Sequence, residues 1–311
     1  MRRPGRRAAS LLAAGVLAAV LPLGGCAGGG GTTANGETRP AKKSKPASDT
    51  HLTVPFDSVT VMLWHLDESV GTRISSAGGP DISGTAGPDT RPDFGRVGGA
   101  RRFTRTIDSF LWGANHPALQ LSNALTVEAW IRMEAFGQYE DTPIVSRWNP
   151  LNTDQSWFLA VGGLNVQAPL TRLPSPGFHA DLLPSSYLSR GLGKLMFAFQ
   201  PSRAGTPLAF FSNERIELNR WTHVAVSFDS KVVRMFINGE LDAQFAISDG
   251  IRASAAPLLV GNLFDPKSLS SFSGELRVGS EVDRNPYYAF EGVIDELRLS
   301  SVARSEFPYA R

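Results

Sequence analysis

Paired carboxylates on one strand face are the residues that could give this chain the chemistry of sugar hydrolysis. Glycoside hydrolysis usually needs two carboxylates held at a fixed separation across a cleft. Glu291, Asp295 and Glu296 come nearest to such a set, but Asp295 and Glu296 are adjacent and would point to opposite faces of a strand. Glu128 and Glu134 share a face, with no aspartate between them. The carboxylate pattern therefore predicts that the chain is not an enzyme.

Other catalytic and metal-binding groups are equally sparse in the sequence. No Gly-x-Ser-x-Gly nucleophile motif occurs. The five histidines are scattered, without a metal-ligand spacing such as His-x-x-x-His. His65 and His223 fall in predicted strands, where a structural histidine with a satisfied side chain is expected.

Aromatic residues near predicted loops offer the best candidate for a ligand surface. The C–H face of a sugar packs on an aromatic ring, while its hydroxyls need polar partners. Trp148 and Trp157 lie near strand ends, and four neighbours could supply polar contacts: Arg147, Asn149, Asn152 and Asp154. Three tryptophans in strand motifs are expected in the core: Trp64, Trp130 and Trp221. Ordinary packing is the alternative role for Trp148 and Trp157.

The N-terminus has the layout of an export signal. Residues 1–7 are short and basic, and residues 8–23 are apolar and interrupted by Pro22. The following Leu23-Gly24-Gly25-Cys26 resembles a bacterial lipobox, which implies cleavage before Cys26 and lipidation of its thiol and new amine. Cys26 is the only cysteine, so it has no intramolecular disulfide partner. An ordinary signal peptide with an incidental cysteine is the alternative.

Composition separates a tether from a folded domain. Residues 27–52 are rich first in Gly and then in Lys, Pro and Ser, which predicts a flexible linker because such a segment buries too little apolar surface. We therefore expect a signal peptide at 1–25, the lipidated Cys26 and linker at 26–54, and a globular domain at 55–311. This organisation predicts a lipid-anchored, extracytoplasmic protein of the bacterial cell envelope.

Net charge excludes one class of partner. The formal charge is +2, but four arginines lie in the export signal. Without them the chain has 27 basic against 29 acidic residues. This near-neutral balance gives no indication of a nucleic-acid surface.

The globular part reads as an all-β sandwich of short strands. Apolar and polar residues alternate in about a dozen runs, and no convincing helical periodicity occurs. Residues 125–133 alternate most cleanly, with Val127, Ala129 and Ile131 on one face. The other predicted strands are 59–66, 100–105, 109–113, 144–148, 157–161, 195–199, 221–228, 232–238, 240–247, 258–261 and 289–299. Two long segments, 167–193 and 264–288, interrupt this rhythm and are read as either functional loops or disorder.

An Asn238-Gly239 pair predicts a tight hairpin. Both central positions of a type I′ turn need a positive φ, which Asn and Gly accept. The turn would place Ile237 opposite Glu240 and Phe236 opposite Leu241. Extending that register predicts a core face with five residues: Val232, Phe236, Leu241, Ala243 and Phe245. The opposite face would carry Val233, Met235 and Ile237.

Five stretches in order resemble the laminin G-like, concanavalin A-like jelly-roll family. They lie at 63–72, 98–103, 126–131, 221–239 and 292–298, and include Thr126-Val127-Glu128-Ala129-Trp130-Ile131 and Gly292-Val293-Ile294-Asp295-Glu296-Leu297-Arg298. The resemblance implies a two-sheet antiparallel jelly roll. Enzymatic relatives with this fold carry a Glu-x-Asp-x-x-Glu pattern, which is absent here.

The resemblance also implies a structural calcium ion. Asp295 is similar to an aspartate that helps hold calcium in related jelly-roll β-glucanases. Asp67 and Asp108 are the carboxylates that this topology would bring nearest. A surface or salt-bridged carboxylate, paired with Arg298, is the alternative for Asp295.

The leading functional hypothesis is a surface-anchored, non-catalytic module that binds carbohydrate or glycoprotein. The expected partners are a polysaccharide, a glycoprotein or an envelope protein, with the membrane contacted through the lipid anchor. A structural or adhesion lipoprotein is the second hypothesis, and a glycoside hydrolase or lyase is the third.

Overall fold

Alternating apolar and polar residues form antiparallel strands throughout the described part of the chain. The computed structural model describes residues 53–137, 141–149, 154–163, 191–203, 205–263, 265 and 289–310. Within these ranges the helical structure is one 3-10 turn, Pro117–Leu119. The strands are β1 (Thr60–Trp64), β2 (Arg73–Ile74), β3 (Gly84–Ala86), β4 (Arg91–Phe94), β5 (Gly99–Phe103), β6 (Leu111–Gly113), β7 (Leu125–Met133), β8 (Thr142–Trp148), β9 (Gln155–Val161), β10 (Lys194–Phe199), β11 (Leu208–Arg215), β12 (Thr222–Phe228), β13 (Val232–Ile237), β14 (Glu240–Ala246), β15 (Leu258–Val260) and β16 (Gly292–Ser300).

The strands form two eight-stranded antiparallel sheets. The first sheet has the order β14-β13-β12-β7-β16-β5-β4, and β1 pairs with β16 beside β5. The second sheet has the order β11-β10-β9-β8-β15-β6-β3-β2. The expected all-β, two-sheet antiparallel sandwich is confirmed. No helix in the described ranges has the length and apolar character needed to cross a membrane.

The core lies between the two sheets. On β7, Val127, Ala129 and Ile131 point into it, as the alternation predicts. The intervening residues of β7 face outward, yet Glu128 and Trp130 are also buried. The outer face of the first sheet is therefore partly covered.

Chain segments from both ends of the domain cover part of that outer face. Phe307, Tyr309 and Ala310 pack with Val54 and with three sheet residues in a second apolar cluster. The phenyl rings of Phe307 and Phe236 lie 4.9 Å apart between centroids. This cover divides the outer face into a buried part and an open part.

The Asn238-Gly239 hairpin forms as predicted. Asn238 has φ 51° and Gly239 has φ 77°, the positive values of a type I′ turn. Ile237 pairs with Glu240 and Phe236 with Leu241. Both predicted pairs are confirmed.

The predicted faces are wrong for β13, whereas Ala243 and Phe245 of β14 lie on the core side as predicted. Val233, Met235 and Ile237 point into the core, whereas Phe236 lies on the outer face. The partner strand β12 sets this orientation, because its core residues Val224 and Val226 stand opposite Ile237 and Met235.

A bulge explains how Ala243 joins the core face. Met235 pairs with Ala243 while Phe236 pairs with Leu241, so Asp242 is an extra residue. The bulge moves Ala243 to the core side and leaves Leu241 outside, exposed. Without the bulge, alternation continued through the turn from the core residue Ile237 would place Ala243 on the outer face.

Four strands were not predicted: β2, β3, β4 and β11. The first three are only two to four residues long, and β4 carries Pro92 on a sheet edge. In β11 every residue except Ser212 is exposed or half-exposed, so the strand shows no clean alternation of buried and exposed positions.

Residues 1–52, which include the predicted signal, Cys26 and linker, lie outside the described residues, as do most of 167–193 and 264–288. The domain boundaries stay predictions.

Candidate functional site

The outer face of the first sheet carries two groups of charged residues, at opposite ends of β7. The covered end consists of Glu128, His223, Arg298 and Tyr309. The open end consists of Asp93, Arg102, Arg132, Glu134 and Trp221. Both follow from the alternation of β7, which directs Glu128, Trp130 and Arg132 away from the core.

Glu128 lies at the centre of the covered end. Its carboxylate accepts hydrogen bonds from Arg298 Nε at 2.7 Å and from the Tyr309 hydroxyl at 2.6 Å. Its Oε2 also lies 3.1 Å from Nε2 of His223. Both Glu128 and His223 are 0% exposed.

The electrostatics of the covered end are those of a structural network. Burial alone would raise the pKa of Glu128, but the hydrogen bond from His223 and the positive charge of Arg298 outweigh it and hold that pKa below its usual value. Burial and the Glu128 charge raise the pKa of Tyr309, so its hydroxyl stays a donor. The network leaves no room for a ligand to reach Glu128.

The covered end also holds the start of the domain. Arg298 Nη1 donates to the Pro55 carbonyl at 2.6 Å, and the Val54 amide donates to Glu296 Oε2 at 2.8 Å. Glu296 Oε1 lies 2.8 Å from His65 Nδ1, a hydrogen bond that raises the pKa of His65. The two strand histidines each contact a carboxylate, in agreement with a structural role.

The open end is a half-exposed ionic group. Arg102 donates to Asp93 and to Glu134, each at 2.6 Å. Arg132 lies farther from the same carboxylates, at 3.8 Å and 3.7 Å. Its guanidinium carbon lies 5.3 Å from the ring centroid of Trp221, within cation–π distance.

Strand register explains why these residues meet. Arg91 stands opposite Arg102, and Val293 of β16 stands opposite both Arg102 and Arg132. Thr222 stands opposite Ile131, which places Trp221 beside Arg132. The result is a row across β4, β5, β16 and β7 that ends at Trp221.

The carboxylates of the open end are suited to binding and not to proton donation. Hydrogen bonds and positive charge from Arg102 hold the pKa of Glu134 below its usual value. Burial raises the pKa of Asp93, but hydrogen bonds from the Phe94 amide and from Arg102 outweigh burial and lower that pKa below its usual value. A glycosidase acid needs a raised pKa to be protonated near neutral pH. These two groups stay ionised and accept hydrogen bonds.

The three aspartates predicted to hold calcium are not brought together. Within the described ranges no group of three or more His, Cys, Asp or Glu side chains could hold a metal ion. Asp108 is exposed and lies between β5 and β6, where its carbonyl accepts from the Asp89 amide at 3.2 Å. The β5–β6 segment places Asp108 apart from the other two aspartates, and calcium binding by this set stays a prediction.

Asp67 and Asp295 do lie around one turn, at residues 95–98 between β4 and β5. Asp295 Oδ2 accepts from the Val97 amide at 2.9 Å, and Asp67 Oδ1 accepts from the Gly99 amide at 2.5 Å. Asp295 Oδ1 is buried with no hydrogen-bond partner. Burial raises the pKa of Asp295 to about 8, with further contributions from Glu296 and Asp67. Among the residues that the structure describes, no basic side chain forms an ion pair with this carboxylate.

The predicted Trp148–Trp157 ligand surface is not exposed. Trp148 is 0% and Trp157 is 1% exposed. Trp157 belongs to the core between the sheets, while Trp148 packs against Phe158, whose side chain points the other way on β9. The expected aromatic platform is therefore absent, because the two rings lie on opposite faces of the sheet.

The polar neighbours of these tryptophans have structural contacts. Arg147 is buried and donates to the Leu119 carbonyl at 2.6 Å and the Ser254 carbonyl at 2.7 Å; burial lowers its pKa to about 10. The Asn149 amide donates to the Asp154 carbonyl at 2.9 Å. Asn152 lies outside the described residues. Ligand binding by this cluster stays an untested prediction.

Trp221 is the functional candidate that the sequence analysis missed. Trp64 and Trp130 are buried as expected, but Trp221 is only half-buried. It directly follows four exposed residues and precedes β12, so it stands at a strand end. A position near a strand end was the criterion that selected Trp148 and Trp157, and the same criterion could have selected Trp221.

Comparisons with known proteins agree with this architecture. A laminin G family model, described as the concanavalin A-like lectin/glucanases superfamily, matches residues 112–306. No curated protein matches the chain. The match includes three of the five stretches on which the resemblance was based.

Solved structures resemble the fold at low sequence identity. The binding domain of Paraclostridial Mosquitocidal Protein 1 superposes with a TM-score of 0.51 at 13% identity, covering 79% of this chain and 49% of that one. The botulinum neurotoxin serotype G binding domain gives 0.51 at 11%, covering 79% and 48%. A structure of botulinum neurotoxin type C, whose cell entry depends on two ganglioside molecules, gives 0.51 at 9%, covering 79% and 48%. The chain thus spans about half of each, and the likeness concerns the fold.

Proposed function

Because the chain belongs to the concanavalin A-like lectin/glucanases superfamily, we propose that it is a non-catalytic module that binds carbohydrate or glycoprotein through the open end. One observation carries this proposal: a half-buried tryptophan, an arginine and two ionised carboxylates share one solvent-facing strip of the first sheet. Sugar sites combine an aromatic surface with a few fixed polar groups.

Each part of the strip suits a part of a sugar. The exposed portion of the Trp221 indole offers apolar surface to C–H groups. Asp93 and Glu134 accept hydrogen bonds from hydroxyls, and Arg132 donates them. Arg102 donates a hydrogen bond of 2.6 Å to each of the two carboxylates. These acceptors are therefore held in place before a ligand arrives.

Structural neighbours are consistent with a binding role. Two of them are named as binding domains, and entry of a third into cells depends on gangliosides. The superfamily description also includes glucanases, which are enzymes. The lowered pKa values of Asp93 and Glu134 support the non-catalytic assignment.

Retention on immobilised glycans tests the proposal. We expect the purified domain to bind at least one polysaccharide or glycoprotein glycan in a pull-down and glycan array. Trp221→Ala should abolish retention, whereas Leu241→Ala, which alters an exposed residue at the hairpin on the same sheet, should not. Both variants should keep the wild-type melting temperature within a few degrees.

Each other outcome assigns a different role. Failure with every glycan, together with capture of one specific envelope protein, would support the structural or adhesion alternative. Release of reducing sugar by the purified protein would support a glycoside hydrolase or lyase.

Surface anchoring through Cys26 is a further part of the proposal, motivated by the Leu23-Gly24-Gly25-Cys26 sequence. We expect the mature protein to fractionate with membranes and to carry a lipid-modified N-terminal cysteine by mass spectrometry. Cys26→Ser should release the protein from membranes. An unmodified Cys26 in the mature protein would contradict the anchor.

Calcium at Asp67 and Asp295 is likewise proposed. The unpartnered Asp295 oxygen and the nearby Asp67 carboxylate fit a cation that prefers oxygen ligands. Bound calcium would supply positive charge to a buried carboxylate that otherwise lacks it. We expect calcium to raise the melting temperature of the wild-type protein and EDTA to lower it, with neither effect in Asp295→Asn. A melting temperature unaffected by both reagents would exclude the site.

A further inference from the structure

Arg132 is the arginine of the open end whose donors are least used. Arg102 makes a 2.6 Å hydrogen bond to each of Asp93 and Glu134. Arg132 approaches the same two carboxylates only to 3.8 Å and 3.7 Å, beyond hydrogen-bonding distance. With respect to the described part of the chain, its N–H groups are therefore available to a ligand.

The surroundings of Arg132 orient its guanidinium for recognition. The group lies over the Trp221 ring, and its side chain is 26% exposed. Stacking on an aromatic ring restricts the planar fork before binding. Such a fork matches the two oxygens of a carboxylate, which it binds through parallel charge-assisted hydrogen bonds.

The charge of the strip favours an anionic ligand. Arg91, Arg102 and Arg132 stand along one row, against the two carboxylates Asp93 and Glu134. Arg102 and Arg132 together balance those two carboxylates, and the third arginine, Arg91, is exposed at the end of the row. The strip thus has a surplus of positive charge beside hydroxyl acceptors.

We propose that the open end selects sugars that carry a carboxylate, such as uronic or sialic acid residues, and that Arg132 is the specificity-determining residue. The carboxylate binds the Arg132 fork, while neighbouring hydroxyls donate to Asp93 and Glu134 and the ring packs on Trp221. This inference rests on the proposed glycan-binding function and names its ligand class.

A matched pair of polymers tests the ligand class. The probes are a polyuronate or sialylated glycan found to bind in the array, and the same polymer after chemical reduction of its carboxyl groups to alcohols. We expect the acidic form to bind the wild-type domain at least about ten-fold more tightly, as one charge-assisted bidentate contact supplies. Calorimetry at two salt concentrations measures both affinities.

Variants locate the effect at Arg132. Arg132→Gln should bind the acidic polymer about ten-fold more weakly and bring its affinity to that of the reduced polymer. Arg132→Lys should recover only part of the preference, because it keeps the charge and lacks the fork. Arg234→Gln is the matched control, since Arg234 lies on the same sheet but pairs with Asp229 at 3.2 Å.

The outcomes separate this inference from the proposed function. Equal binding of the acidic and reduced polymers, both lost in Trp221→Ala, would overturn the ligand class and leave the glycan-binding function standing. An acid preference unchanged in Arg132→Gln would overturn the role of Arg132. Binding of neither polymer class by the folded wild-type protein would overturn both.

Discussion

Glu128 and Glu134 stand six residues apart on the same side of the sheet, and each accepts a hydrogen bond from an arginine of another strand. Their surroundings differ. Glu128 lies under the Phe307–Ala310 segment and is 0% exposed, whereas the side chain of Glu134 is 29% exposed. Similar pairs of residues therefore play different roles according to what covers them.

The comparison shows how one sheet face can serve stability and binding. At the covered end every acceptor of Glu128 is used by Arg298, His223 or Tyr309. At the open end Arg132 approaches its two carboxylates only to 3.8 Å and 3.7 Å, so within the described residues its donors are not used at short distance. The terminal segments thus decide which charges remain available to a ligand.

Replacing each of the two glutamates by alanine should give the largest difference in stability between the covered end and the open end. Glu128→Ala leaves the buried Arg298 without its carboxylate, which we expect to reduce the free energy of unfolding by about 3–5 kcal/mol. Glu134→Ala removes a half-exposed pair and should change it by less than about 1 kcal/mol. Urea unfolding measures both. Equal losses at the two sites would remove the distinction between covered and open ends.

The second-largest loss of stability is expected from a change in the hairpin turn, which lies against the covered end. Gly239 has φ 77°, and a Cβ there would lie 3.0 Å from the Phe307 carbonyl oxygen. Gly239→Val combines backbone strain with that close contact, so we expect a loss of about 1–3 kcal/mol. Gly239→Ala, which has the strain with less bulk, should lose less. A melting temperature for Gly239→Val within a degree or two of wild type would contradict this link.

Acid should weaken the covered end specifically. The folded-state pKa of Glu128 lies below its ordinary value of 4.5, so its contribution to stability is complete above that pH and is lost as pH falls towards the folded pKa. We expect the melting temperature of the wild-type protein to fall between pH 5 and pH 3.

Glutamine variants identify the carboxylate responsible. Glu128→Gln should be less stable at pH 6 but should lose less further stability on acidification. Glu134→Gln should retain most of the wild-type pH dependence, because its pKa shift arises at a largely hydrated site. An unchanged acid response in Glu128→Gln would show that other carboxylates dominate.

The smallest effect on stability should come from Arg132. Its contacts to Asp93 and Glu134 are long and half-exposed, so Arg132→Gln should change the free energy of unfolding by less than about 0.5 kcal/mol. The same variant is expected to alter glycan binding. A loss of several kcal/mol would place Arg132 among the structural groups of the covered end.

Sequence patterns predicted local structure well where the cause is local. The alternation of β7 and the Asn238-Gly239 turn were both placed correctly, because side-chain periodicity and positive φ are properties of a few adjacent residues. The core side of β13 was predicted wrongly, because its orientation depends on the long-range pairing with β12.

The candidate site was harder to predict for the same reason. Asp93, Arg102, Arg132 and Trp221 come from four separate segments, and none of them was singled out as a ligand residue. Trp148 and Trp157 were, but the sandwich buries both rings. Asp67 and Asp295 lie around one turn without Asp108, and the calcium predicted for these residues stays untested.

By itself, the sequence determined an all-β sandwich of the laminin G-like type, since apolar periodicity, turn residues and ordered family motifs are written along the chain. Only the tertiary structure decided which end of the outer face is buried. That choice depends on where Phe307 and Tyr309 pack, some 180 residues after Glu128. Exposure is set by contacts between distant segments, so the division between structural charges and those offered to a ligand could be read only from the folded chain.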